Sequence, residues 1–142
     1  MAIKFISKLP PADRRALRLD PASPAVIKPG QAVVEDSSNY AVLADSANDV
    51  TAPKWAFTDS ERVDAADAKA VTVVEGPFTA EMNTLGYDGT PAKGDAMKFG
   101  TGATAGKLIS FTPATVADAL DVVAYCERAA NAEGFARFRV IR

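Results

Sequence analysis

Apolar and polar positions alternate most regularly in residues 71–82, V-T-V-V-E-G-P-F-T-A-E-M. Val71, Val73, Phe78, Ala80 and Met82 alternate with Thr72, Thr79 and Glu81, the two-residue period of a strand with one buried face. The pattern predicts one bent central strand. Gly76-Pro77 interrupts it, and a residue without a backbone N–H belongs at a strand start, an edge or a bulge. The chain is therefore expected to pair, kink and pair again, curling a small sheet towards a barrel or crossing between two packed sheets.

On either side of this stretch the pattern is one of short strands and turn residues. In Lys28-Pro29-Gly30-Gln31, proline at the second position and glycine at the third suit a type II turn. Residues 32–35 and 40–44 then form a hairpin around Asp36-Ser37-Ser38-Asn39. Residues 54–58 read as a strand with Trp55 and Phe57 on one face, and residues 59–69 as an exposed loop. After a second loop at 84–91, Gly94-Asp95-Ala96 leads into a strand as Gly30-Gln31-Ala32 does. The echo, with strands 96–99 and 107–111 after it, predicts two similar hairpins in one barrel. Residues 112–120 suggest a turn of helix near Pro113. Residues 121–128 and 135–142 predict a closing hairpin, with Phe135, Arg137, Arg139 and Ile141 on one face and Ala136, Phe138, Val140 and Arg142 on the other.

The first 24 residues differ. They hold Pro10, Pro11, Pro21 and Pro24, and Lys4, Lys8, Arg14, Arg15 and Arg18 against Asp13 and Asp20. Residues 11–19 suggest two short turns of helix, with Ala16, Leu17 and Leu19 apolar, although isolated helices this short are marginal. The large apolar groups of the segment, Phe5, Ile6, Leu9, Leu17 and Leu19, suggest anchors of an arm that orders on a neighbouring subunit, whereas a floppy terminus is the plainer alternative. The chain thus divides into an arm, residues 1–24, and a domain, residues 25–142.

Composition narrows the function. At 142 residues and 48% apolar, the chain fits one domain with a sizeable core. A net charge of −2 provides no broad positive field for a phosphate backbone, so no nucleic-acid partner is expected. No apolar run is long enough to span a membrane, and the first residues lack a signal-peptide core, so a product made in the cytoplasm is expected. One cysteine forms no internal disulfide, and the absence of histidine removes the commonest general base and metal ligand.

The chemical motifs fail on their context. Residues 100–105, G-T-G-A-T-A, match a relaxed dinucleotide pattern, but a strand follows where a helix is required. Gly106-Lys107 ends this run as in a phosphate-binding loop, yet Thr101 replaces its first glycine and Leu108 the magnesium-holding hydroxyl. A hairpin loop is the better reading. Asp59, Glu61, Asp64 and Asp67 offer oxygen ligands but lack the spacing of a calcium loop. Asp45 and Asp49 do no better. Cys126 reads as a small buried hydrophobe. Trp55 is either core or an anchor in a subunit interface. No cofactor, metal or catalytic residue is expected.

The turn K-P-G-Q-A-V-V with Y-A-V-L-A-D, the stretches W-A-F-T-D and V-T-V-V-E-G-P-F-T-A-E, G-D-A-M-K-F with G-K-L-I-S-F, and the closing V-V-A-Y-C-E-R with F-A-R-F-R-V-I together resemble tailed-phage capsid decoration (cement) proteins. The resemblance covers residues 25–142. It implies a small β-barrel that binds the outside of an icosahedral shell and joins neighbouring capsomers, commonly as a homotrimer. The expectation is an all-β domain, barrel or sandwich, of short antiparallel strands with an extended N-terminal arm. Its partner would be the major capsid protein, with Phe5, Ile6, Leu9, Arg14, Arg15, Arg18 and Trp55 as contact residues on the virion exterior. The alternatives are a tail or head-completion subunit and a small carboxylate-using enzyme.

Overall fold

The computed structural model describes residues 3–5, 14–57 and 70–142. Among them are eleven strands: β1 (Ile3–Phe5), β2 (Arg14–Arg18), β3 (Ala32–Glu35), β4 (Ala41–Leu43), β5 (Lys54–Ala56), β6 (Ala70–Glu75), β7 (Phe78–Met82), β8 (Ala96–Phe99), β9 (Leu108–Phe111), β10 (Ala124–Arg128) and β11 (Ala136–Val140). They form a six-stranded sheet, β1-β7-β11-β10-β8-β9, and a five-stranded sheet, β2-β6-β5-β3-β4, with antiparallel pairing throughout. The two sheets do not close into a barrel. Of the two expected architectures this is the sandwich.

The predicted bend at Gly76-Pro77 is the crossover between the sheets. β6 belongs to the five-stranded sheet and β7 to the six-stranded one. Gly76 is required by a close approach, since a Cβ there would lie 2.0 Å from the backbone oxygen of Arg142. The alternation in β7 buries Phe78, Ala80 and Met82 and turns Thr79 and Glu81 outwards. In β6 both faces are buried: Val74 pairs with Trp55 on one face, while Val73 pairs with Ala56 on the other.

Two cores follow. The main one lies between the sheets, with Trp55, Val74 and Ala32 meeting Phe78, Met97, Phe99 and Phe138. Trp55 is 0% exposed, its ring 5.3 Å edge-on to Phe78 and 5.9 Å from Phe99. Such ring pairs add about 0.5–1.5 kcal/mol to the burial itself. The second core lies on the far side of the five-stranded sheet, where Leu17, Val33, Ala41, Ala56, Val71 and Val73 enclose Leu19 and Ile27. This sheet must curl. Four strand spacings would separate β2 from β4 by roughly 19 Å if it were flat, yet Arg18 on β2 stands 5.7 Å from the Tyr40 ring beside β4.

The echoed segments are equivalent in detail, but they open different sheets rather than sharing one barrel. In both turns the glycine has positive φ, 92° at Gly30 and 95° at Gly94. Gln31 N–H donates to the Lys28 carbonyl and Asp95 N–H to that of Ala92. The side chain at the fourth position then accepts from the first N–H, Gln31 from Lys28 and Asp95 from Ala92. The equivalence continues across the sheets: Ala32 pairs with Trp55 as Ala96 does with Tyr125, and Trp55 with Val74 as Tyr125 does with Arg139. The sandwich is built from two related β-units.

The N-terminal segment departs from the expected arm in its described parts. Ile3–Phe5 pairs with β7 and Arg14–Arg18 with β6, so the segment supplies one edge strand to each sheet. Ile3 is 1% and Leu17 4% exposed. Apolar burial explains the difference, because each such side chain contributes about 1.5–3 kcal/mol inside its own core. Ile6, Leu9 and residues 59–69 lie outside the described residues. The predicted helical turn is α1 (Val116–Leu120), capped by Thr115, whose hydroxyl accepts from Asp118 N–H. Among the described residues, no helix is long and apolar enough to cross a membrane.

Candidate functional site

The expected contact residues are not gathered in one place. Trp55 is in the main core, the first of its two readings, where no partner reaches it. Phe5 and Arg14 pair through their backbones with Ala80 and Val74. Arg15 is occupied within the chain, 3.3 Å from Glu75 and 3.8 Å from Glu35. Arg18 lies over Tyr40.

Arg15, Glu35 and Glu75 share the inner face of the curled sheet with Lys54, which is 2% exposed. The Lys54 ammonium donates to the Ala52 carbonyl at 3.1 Å. Cavities of about 300 and 280 Å³ open beside it, one lined by Glu75 and Arg142 and the other by Glu35 and Asp49. The two acidic and two basic groups balance. The cluster closes the end of the second core.

The outer face of the six-stranded sheet is different. Register places Lys4, Glu81, Arg137 and Arg128 in one row across β1, β7, β11 and β10. A second row carries Thr79, Arg139, Tyr125, Ala96 and Phe111, with Lys98 two residues beyond Ala96. Five cations face two carboxylates, Glu81 and Glu127, in a chain whose net charge is −2. Three of the cations stand over rings: Lys4 over Phe135 at 4.4 Å, Lys98 over Phe111 at 4.9 Å and Arg139 over Tyr125 at 5.5 Å. Such contacts contribute about 0.5–1 kcal/mol at exposed sites and hold the charged groups in place.

Glu81 is flanked in register by Lys4 and Arg137. Glu81 pairs with Arg128, which also donates to the Phe135 carbonyl at 3.1 Å. The Nε atoms of Arg128 and Arg137 are buried without a hydrogen-bond partner. Arg139 stands 3.8 Å from Glu127, a weak exposed pair. A groove of about 550 Å³ runs beside Tyr125, Glu127 and Arg139 towards Lys93. At the Lys98 end, α1 presents Val116, 82% exposed, and Leu120. Asp118 is held below the usual carboxylate range by the N–H groups of Ala114 and Thr115, the Thr115 hydroxyl and the nearby Lys98.

Elsewhere, polar groups have structural duties. The glycine-rich segment is the β8–β9 connection, as its sequence context suggested. A Cβ at Gly100 would strike the Thr104 side chain at 2.1 Å, while Gly106 exchanges hydrogen bonds with Ala32 and Ala44, tying the two echoed hairpins together. Asp45 and Asp49 accept the N–H groups of Gly102 and Asp45 respectively. Burial pushes the Cys126 thiol up, away from the thiolate that nucleophilic chemistry needs. Tyr87 is also raised, first by burial and then by Cys126, and its hydroxyl donates to the Gly134 carbonyl at 2.7 Å. Among the described residues, no three metal-ligating side chains converge.

The alternation of Phe135, Arg137 and Arg139 signalled two of the five cations on this face. Lys4, Lys98, Tyr125 and Arg128 were not found as part of it, because they join it only through long-range pairing. No protein-family model matches the chain, and no curated protein or solved structure matches it.

Proposed function

We infer that the protein is a structural virion component, a capsid decoration (cement) protein that binds the outer surface of a phage head. The resemblance over residues 25–142 supplies this reading. The observation that supports a binding role is the open cationic outer face of the six-stranded sheet. A rigid face of this kind suits adhesion, because few side chains need ordering when a partner arrives.

In this reading the chain assembles as a trimer on the virion exterior, with the major capsid protein as its partner. Contacts repeated over many lattice sites add up, and binding only the assembled shell shifts the equilibrium towards the closed lattice. The test combines the mass of the purified chain by light scattering with imaging of decoration-free phage shells after mixing. Saturable density at lattice symmetry axes is the expected result. Rings or tubes without shell binding would instead indicate a tail or head-completion subunit.

A further inference from the structure

We propose that the outer face of the six-stranded sheet is a docking surface for a carboxylate-rich protein surface, engaged by Arg137, Arg139, Lys4 and Lys98. This names the partner chemistry of the shell-binding reading and rests on that reading for the partner's source.

The internal equivalence provides the first argument. Trp55 and Val74 on the five-stranded sheet correspond in register to Tyr125 and Arg139 on the six-stranded sheet. The first pair lies on a packing face, buried against the neighbouring sheet. The second pair lies on the same face of an equivalent unit, with no layer over it among the described residues. Where the covered copy is apolar, the open copy has a cation stacked on a ring. A surface built to meet another layer has been given charge.

The sign and state of those charges identify the partner. Five cations and two carboxylates lie on the described face, and a third carboxylate, Asp118, lies near Lys98 at its end, so cations are in excess. Guanidinium forks match carboxylate geometry in pairs of parallel hydrogen bonds. Nucleic acid fits less well, because Phe135, Phe111 and Tyr125 are each capped by a cation and present no open ring for a base.

The experiment measures binding to immobilised poly-L-glutamate and, separately, to a single-stranded oligothymidine, over a range of salt concentrations. R137E/R139E tests the face, with R137Q/R139Q as a gentler version should the reversals disturb folding. K28E/K107E changes net charge equally but off the face. Thermal melting checks that each variant is folded. The proposal expects salt-sensitive polyglutamate binding that falls at least about tenfold in the face variants and is kept in the control. Absent polyglutamate binding, or equal loss in the control, would overturn it. Tighter oligothymidine binding with the same face dependence would overturn it in favour of nucleic acid. Decoration-free shells separate the two readings. Shells that take up wild type and R137E/R139E equally overturn the docking face alone. Shells that take up neither, while polyglutamate binding keeps its face dependence, overturn the shell-binding reading and leave the carboxylate chemistry supported.

Discussion

Trp55 and Tyr125 occupy equivalent positions in two related sheets and have opposite surroundings. Trp55 is sealed between layers beside Phe78 and Phe99, whereas Tyr125 lies under an arginine on an open face. The five-stranded sheet has both faces covered, one by its partner sheet and the other by the core that it curls around. Among the described residues, the six-stranded sheet has only one covered. Repetition of a β-unit therefore left one face without a layer, and that face carries the charge. The main core draws on both sheets, whereas the charged rows lie on the outer face of the six-stranded one.

The largest test of this contrast removes residues 1–20. The deletion takes away β1 and β2 together with Ile3 and Leu17, so it is expected to abolish cooperative unfolding, consuming much of the ~5–15 kcal/mol that holds a domain together. A circular-dichroism melt as sharp as wild type would show instead that the segment is a dispensable arm. Next come Trp55→Ala, expected to cost about 3–5 kcal/mol, and Ile27→Ala, about 2–5 kcal/mol, in urea unfolding. Hydrogen exchange distinguishes them. The first should loosen both sheets, and the second should loosen mainly the strands around the curled core.

Gly76→Ala should cost about 1–3 kcal/mol, because the new methyl must displace the backbone of Arg142. Its effect is expected at the crossover, visible as faster exchange in the C-terminal residues. The smallest effect is alkaline. Burial holds the Cys126 thiol and the Tyr87 hydroxyl above their ordinary values. The unfolded chain then deprotonates first, so this contribution is complete below about pH 8.5 and is lost as the pH rises through the folded values. Stability measured against pH should decline above that point, and Cys126→Ala should flatten the first part of the decline. A profile that rises through this range would refute the assignment.

The bend, both hairpin turns and the closing hairpin were legible because each is written locally. Period-two alternation marks the buried face of β7 and β11, and Pro29-Gly30 specifies its own turn. The N-terminal strands were not legible. β2 pairs with β6 across the whole of the first unit, β3 to β5, and the four prolines around it suggest a loose terminus, while Ala16, Leu17 and Leu19 read as two short turns of helix rather than the strand that long-range pairing makes of Arg14–Arg18. The echo at Gly30 and Gly94 was legible as a turn, but its extent was not, since Trp55 and Tyr125 become equivalent only through cross-strand register. The cationic face had the same obstacle. Arg137 and Arg139 lie two residues apart on one strand, whereas Lys4, Glu81 and Arg128 reach their row from three other strands.

The most direct measurement is an image reconstruction of decoration-free phage shells mixed with saturating protein, at a resolution that separates the two sheets. The account predicts density at lattice symmetry axes with β10 and β11 of the six-stranded sheet against the shell and the curled sheet pointing away. Bound protein in the reverse orientation, or bare shells, would contradict it.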